Sequence, residues 1–239
     1  VIKNHISKEE KYIFALNELS DYLGIKEIKK IEGYDVSHIS GDNAVASCVV
    51  FTKTGPSKKD YRLFNIPKSL SGNDSGSLEH VVERRLKYYD EPKTKPDLIL
   101  VDGGKSQLKF VTNVINESDH KNLEVISIVK GVNRVRATET IIGKNGLLEL
   151  DKYSKAFLLL QEIRNESHRF AIQTQRKKKR KTISISQLDS IKGVGNVLKS
   201  RLLKKYKSID NIKKENYSDL MTVKGINEKI AKLILEKLK

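Results

Sequence analysis

Pro96-Asp97-Leu98-Ile99-Leu100-Val101-Asp102-Gly103-Gly104 decides the fold of this 239-residue chain. Four large apolar residues in a row leave no place for the alternation of a strand with one wet face. A short apolar run bounded by Pro and Gly reads instead as a strand buried on both faces, the mark of a parallel sheet covered by helices. The stretches around it agree. Residues 105–115 have helical spacing, 124–129 form a second apolar strand, and 152–175 read as a long helix. Upstream, residues 28–39, 44–53 and 61–66 read as three antiparallel strands, with turn chemistry at Gly41-Asp42-Asn43 and Gly55-Pro56. Residues 67–76 read as a loop, 78–89 as a helix, and 134–150 as a hairpin around Gly143–Gly146. A helix over 8–23, stopped by Gly24, leads in. The expectation is an α/β domain over residues 28–175, a mixed sheet with flanking helices, preceded by a lead-in segment over 1–27.

Charge divides the chain further. The formal net charge is +16, from 46 Lys and Arg against 30 Asp and Glu. Residues 1–175 are close to balance, at 27 basic against 24 acidic. The run Arg176-Lys177-Lys178-Lys179-Arg180-Lys181 adds six charges, and residues 183–239 hold 13 basic against 6 acidic. Such asymmetry points to a polyanion, most simply nucleic acid. Residues 176–182 read as a basic linker. With 32% charged residues and no long apolar run, a membrane span is excluded. No secretory signal is visible, so the cytoplasm is the expected compartment. A single cysteine, Cys48, excludes an intrachain disulfide and any multi-cysteine metal site. The chain begins with Val1 and its one methionine is Met221, which suggests a piece of a longer protein.

Residues 183–239 contain a near-repeat. Ile191-Lys192-Gly193-Val194-Gly195 returns 32 residues later as Val223-Lys224-Gly225-Ile226-Asn227, each preceded by a leucine (Leu188, Leu220) and followed by a helix. Glycine permits a tight turn, and the helix N-terminus after it offers free N–H groups to a phosphate without reading a base. Lys192, Lys199, Lys204 and Lys205 would supply charge. Asn227 stands where the first copy has glycine, and tolerates the same backbone.

Phosphodiester cleavage without a covalent nucleophile usually needs divalent metal held by carboxylates, so acids that strand geometry can bring together are the candidates. Asp35 lies mid-strand, and Asp102 ends the apolar strand, where α/β sheets place their sites. If the two strands are neighbours, these carboxylates can share a metal. Taken singly, Asp35 could equally mark an exposed strand face, and Asp102 a turn acid or helix cap. His168 sits on the long helix near the edge of its apolar face, where, taken alone, a histidine is more often structural than catalytic. His38 alternates to the opposite strand face from Asp35. His5, His80 and His120 read as surface residues. Gly103-Gly104-Lys105 is only the tail of a phosphate loop, so Lys105 reads better as a phosphate contact beside Asp102.

Several longer strings carry a family resemblance. They are Ile31-Glu32-Gly33-Tyr34-Asp35-Val36-Ser37-His38, the run AVASCVVF at 44–51, Gly55-Pro56 with Asp60-Tyr61-Arg62-Leu63-Phe64-Asn65-Ile66, and residues 96–105 with Gln107-Leu108. They continue with residues 160–172 (LQEIRNESHRFAI) and the two glycine turns. Over residues 10–239 the chain resembles the C-terminal half of the UvrC family, the nuclease subunit of the bacterial excision-repair excinuclease. The resemblance implies an RNase H-like endonuclease domain, followed by an all-α tandem helix-hairpin-helix domain at 183–239, which together cut damaged double-stranded DNA 5′ of a lesion. It places the family's two aspartates and histidine on Asp35, Asp102 and His168, with Mg²⁺ or Mn²⁺ as cofactor. In that reading the metal activates a water for in-line attack. His168 completes the shell or shuttles a proton. Lys105 and Arg169 steady phosphate, and Lys192, Gly193, Gly195 and Gly225 dock DNA through its backbone. An acid in the loop after the third strand, nearest Asp74, is a further candidate. Departures are Ser106 in place of a usual glycine, Asn165 and Ser167 in the histidine string, and Asn227. The family's N-terminal parts, for the 3′ cut and for contact with UvrB, are not in this sequence, so weak UvrB binding and no 3′ incision are expected. A resolvase- or transposase-like enzyme on the same fold, or an inert DNA-binding adaptor, are the competing readings. The resolvase reading lacks these specific strings, and the intact Asp35, Asp102 and His168 set speaks against an inert adaptor.

Overall fold

The computed structural model describes residues 7–37, 44–91, 93–130 and 139–238. The expected 41–43 turn, His5, His38 and the start of the 134–150 hairpin lie outside the described residues. In chain order the elements are α1 (Lys8–Leu23), β1 (Lys30–Ser37), β2 (Val45–Thr52), β3 (Gly55–Pro56), β4 (Arg62–Asn65), α2 (Asp74–Leu86), β5 (Leu98–Asp102), α3 (Lys105–Asn116), β6 (Glu124–Lys130), β7 (Glu139–Gly143), β8 (Gly146–Leu148), α4 (Lys155–Asp189), α5 (Asn196–Tyr206), α6 (Ile209–Lys214), α7 (Tyr217–Met221) and α8 (Glu228–Leu238). Two compact units divide within α4, between Ile172 and Gln173. Among the described residues no helix is long and apolar enough to cross a membrane.

The first unit is built on one mixed sheet in the order β3-β2-β1-β5-β6-β7-β8, with β4 sharing the outer edge of β2 with β3. β1 runs parallel to β5 and β5 parallel to β6; the other pairings are antiparallel. The apolar run Leu98–Val101 is buried along its whole length, as its composition requires. Leu98 and Leu100 pack with α1 and α4, while Ile99 and Val101 pack with α2 and α3, giving two apolar cores on the two faces of the sheet.

Helix α4 lies very close to β1. A Cβ built on Gly33 would sit 2.3 Å from Ile163 Cγ2 and 3.2 Å from Val49 Cγ2. Glycine is required here for space. Ala156, Leu159, Leu160, Ile163, Ser167 and Ala171, all buried, give α4 the three-and-four spacing of a core-facing helix.

On the opposite face, the fully buried Glu32 accepts hydrogen bonds from Arg85 Nη2 (2.7 Å), Tyr34 Oη (2.6 Å) and Tyr89 Oη (2.6 Å). A carboxylate can be held without water only with such partners. Burial pushes both phenols and the Cys48 thiol well up, so all three remain protonated donors at neutral pH.

Three expectations change. The lead-in expected over 1–27 is, in its described part, integral to the domain, because Tyr12, Leu16 and Leu19 of α1 are core residues and Glu18 Oε2 accepts the N–H of Ala156 at the start of α4 (2.7 Å). The 176–182 segment is no open linker, because it is helical within α4; Lys, Arg and Gln are strong helix formers, and the basic composition masked this. The helix expected at 78–89 is shifted, starting at Asp74 with Asn73 as its cap, so Asp74 is in a first helical turn.

The second unit packs α5–α8 around Leu188, Ile191, Leu202, Ile212, Leu220 and Ile234. Gly193 (φ +91°) and Gly225 (φ +99°) both occupy the left-handed region. Gly193 abuts Ile230 of α8, and Gly225 abuts Leu198 of α5. Residues 193 and 198 lie 32 positions before 225 and 230, so each turn rests on the equivalent residue of the other copy.

If Gly33 sets the approach of α4, Gly33→Ala costs about 1–3 kcal/mol of stability by overpacking. Urea unfolding should show that cost shrinking in an Ile163→Ala background. An equal cost in both backgrounds would place the constraint elsewhere.

Candidate active site

The pairing of β1 with β5 sets Tyr34 opposite Val101. One step on, that register puts Asp35 beside Asp102 at the ordinary strand spacing of about 4.8 Å. Side-chain alternation places both on the face covered by α4, as it does Ile31, Leu98 and Leu100. Asp35 is only 6% exposed, which removes the exposed-face reading. Asp102 is half-buried at the C-terminal end of β5. It is not the cap of α3, whose N-cap is Gly104, with Gln107 Oε1 accepting the Gly104 N–H (2.9 Å).

Helix α4 brings His168 to the same place. Its Nδ1 lies 3.2 Å from Asp35 Oδ2, and its side chain is 55% exposed. Ser37 Oγ donates to the same Oδ2 at 3.0 Å. A carboxylate only accepts, so Nδ1 of the imidazole is the donor in this contact, and in the neutral ring Nε2 is then the acceptor. Among the described residues, the side-chain hydrogen bonds of Asp35 from Ser37 and His168 both fall on Oδ2.

The donors suit a hard cation. Mg²⁺ is commonly held by one or two carboxylates, with the substrate's phosphates supplying more oxygens. Among the described residues, however, no group of three or more His, Cys, Asp or Glu is assembled to hold a metal by itself. Asp35, Asp102 and His168 are thus not a ready-made three-ligand cage.

The sequence reading missed two serines. Ser47, fully buried on β2 and directly opposite Asp35, donates to the Ser167 carbonyl at 3.0 Å, one residue before His168. It pins α4 to the sheet where the histidine projects. The signal was a small hydroxyl at an inward position of an apolar strand. Ser37, which holds Asp35, left a fainter trace.

The phosphate candidates fare unevenly. Lys105 is exposed in the first turn of α3 and shares a cavity of about 330 Å³ with Lys109 and Lys144. Arg169 is already paired with Glu166 through Nε (2.6 Å) and Nη2 (2.5 Å). Lys199 is buried and paired with Asp189, so it is not an open source of charge, whereas Lys205 is exposed and its Nζ donates to Thr222 Oγ1. Lys192, Gly193, Gly195 and Lys204 are exposed. His120 is not a surface residue either: it is half-buried, edge-on to Tyr89 with ring centroids 5.7 Å apart. The two hairpins differ at the helix they introduce. No side chain caps α5 at Gly195, whereas Asn227 Oδ1 accepts the Ile230 N–H of α8 at 3.0 Å.

Comparison with known proteins places these features in context. Residues 20–172 match the family described as the UvrC RNase H endonuclease domain, and residues 185–239 match the SAM-like helix-hairpin-helix tandem. The chain is 39% identical over 227 residues to UvrABC system protein C of Haemophilus influenzae, covering 92% of this chain and 37% of that protein. It is 36% identical over 238 residues to the protein of that name from Legionella pneumophila strain Lens, covering 98% and 38%. The chain thus spans well under half the length of these relatives. Human ENDOV is 14% identical, covers 62% of this chain and 86% of its own, and has a TM-score of 0.39, a likeness too slight to bear on function.

If Asp35 sets the His168 tautomer, ¹⁵N spectra of the neutral imidazole will show Nδ1–H as the main form. Asp35→Ala removes that bias. Identical spectra in both proteins would mean that the contact does not orient the ring.

Proposed function

The chain belongs to the UvrC RNase H endonuclease domain family, and on that premise we propose that it is a metal-dependent DNA endonuclease, hydrolysing a phosphodiester on the 5′ side of a lesion. The observation that carries this reading is the convergence of Asp35 and Asp102, side by side on parallel strands, with His168 at 3.2 Å from Asp35. Asp35 and Asp102 would hold Mg²⁺ or Mn²⁺ together with phosphate oxygens of the DNA. Bound there, the cation would supply Lewis-acid activation of water and charge neutralisation for in-line displacement.

The chain's own groups then have separable tasks. Ser37 and His168 fix the rotamer of Asp35 through Oδ2, so that Oδ1 faces its task without reorganisation. His168, held through Nδ1–H, would keep Nε2 ready to take a proton from the attacking water, and could then pass that proton on to the leaving oxygen. Ser47 fixes the helix turn that carries it. Lys105 approaches a phosphate next to Asp102.

The second unit docks duplex DNA through backbone phosphates, largely without sequence preference. The amides that open α5 beyond Gly195 are the better phosphate seat, since Asn227 already occupies one amide of α8. The working protein partner would be UvrB on damaged DNA, and the compartment the cytoplasm.

With Mn²⁺ and UvrB on lesion-bearing duplex, Asp35→Ala and His168→Ala should each lower nicking at least 100-fold, while duplex affinity stays within twofold. Chelation should abolish nicking by the unaltered chain. Normal nicking by both variants would overturn the assignment. Separately, Gly193→Val forces a β-branched residue to φ +91° beside Ile230 and should weaken duplex binding about tenfold, read by anisotropy. Unchanged affinity would remove the first hairpin from the docking surface.

A further inference from the structure

A second cationic site lies away from the carboxylates. A cavity of about 490 Å³ opens between the start of β1, the start of β4, the end of α2 and the 87–94 connection. Lys30, Arg62, Arg84, Lys87 and Lys93 line it, with the exposed ring of Tyr88. Arg85 also lines it but is matched by Glu32, and the single lining acid is Asp60. Arg62, Arg84, Lys87 and Lys93 have no carboxylate partner among the described residues.

Several of these groups are held in place. Lys30 Nζ, on a side chain only 15% exposed, donates to the carbonyls of Thr94 (2.7 Å) and Lys93 (3.2 Å). Arg62 Nη1 donates to the carbonyls of Lys59 (3.0 Å) and Tyr61 (2.9 Å). Arg84 lies over the Phe64 ring, 5.7 Å from its centroid. Carbonyls orient Arg62 without neutralising it, whereas Lys30 also lies 4.0 Å from Glu32 Oε1, the carboxylate it shares with Arg85. Two of the lining cations, Arg84 and Arg85, belong to the last turn of α2, where a helix dipole favours them. Lys87 is the C-cap of the same helix, while Lys30, Arg62 and Lys93 come from two strands and a loop, so the helix end alone does not account for the cluster.

The site is distinct from the one formed by Asp35 and Asp102. Lys30 lies five residues before Asp35, roughly 17 Å along the strand. Its residue parity and that of Arg62 and Phe64 put them on the α2 face of the sheet.

We propose that this cavity binds single-stranded DNA, its cations taking two or three consecutive phosphates and Tyr88 offering a stacking face for one base. Tyr88 is 60% exposed beside the cations, the combination that holds single strands without sequence preference. A duplex presents phosphates on a stiff convex surface that cannot enter a cavity, whereas an unpaired strand can bend into one. The site does not depend on the chemistry assigned to Asp35.

Fluorescence anisotropy of a labelled eight-nucleotide oligo(dT) with the whole chain tests this. The triple substitution Arg62→Ala, Arg84→Ala, Lys87→Ala should weaken binding at least tenfold and reduce the slope of log affinity against log salt by about two, at ~0.7 per phosphate contact. Tyr88→Ala should weaken it about fivefold, and leave the salt slope as it was. Duplex binding should stay within twofold in both variants, and Asp35→Ala should bind the oligonucleotide as the unaltered chain does. The replaced side chains are exposed, and unchanged circular dichroism and urea midpoints would exclude misfolding. Oligo(dT) binding within twofold and an unchanged slope in the triple variant would overturn the proposal. So would competition by inorganic phosphate as effective, per phosphate, as unlabelled oligo(dT).

Discussion

The structure depends on how closely one helix can approach one strand. Gly33 lets Ile163 of α4 settle directly on the backbone of β1, where any larger side chain would stand it off. Core packing is dense enough that such a gap cannot be closed by small adjustments elsewhere. Ser47, donating to the Ser167 carbonyl, fixes the same helix one turn further along. His168 follows immediately and reaches Asp35 two residues beyond Gly33. The histidine is therefore placed by a missing side chain and a buried hydroxyl, both outside the set of groups that would touch substrate.

The sheet was legible because its strands differ in kind. The Leu98–Val101 run read as a strand covered on both faces, and the observed register of β5 against β1 then sets Asp35 beside Asp102. His168 was legible only as a candidate, since helical spacing puts it at the edge of an apolar face without naming what it meets. Ser47 could be marked only as a hydroxyl at an inward strand position, because its role comes from contact with a helix 120 residues away. The helical state of 176–182 was hidden for another reason: a run of six cations suggests a solvated linker, while the same side chains favour helix. The family resemblance supplied the order of motifs, and the structure supplied the register.

Near-neutrality of the first 175 residues also proved a poor guide. Their charges are close to balance in number but segregated in space. Glu32 is wholly buried, and other acids are spent on partners within the fold, such as Glu162 on Lys11 and Glu27 on Lys53. Cations around Lys30 and Arg62 are left facing a common cavity. Net charge describes long-range attraction; local fields follow which carboxylates the fold has taken out of circulation.

The paired hairpins of the second unit repeat one another closely, with Gly193 resting on Ile230 and Gly225 on Leu198. Duplex DNA has a two-fold axis of its own, so an object with matching symmetry could settle on it equally well in either orientation. Gly195 and Asn227 spoil that match: one helix presents its opening amides, and the other has one already occupied by its own side chain. Such a module has a leading end and a trailing end. Under the proposed one-sided incision, a single asparagine would give the grip its polarity.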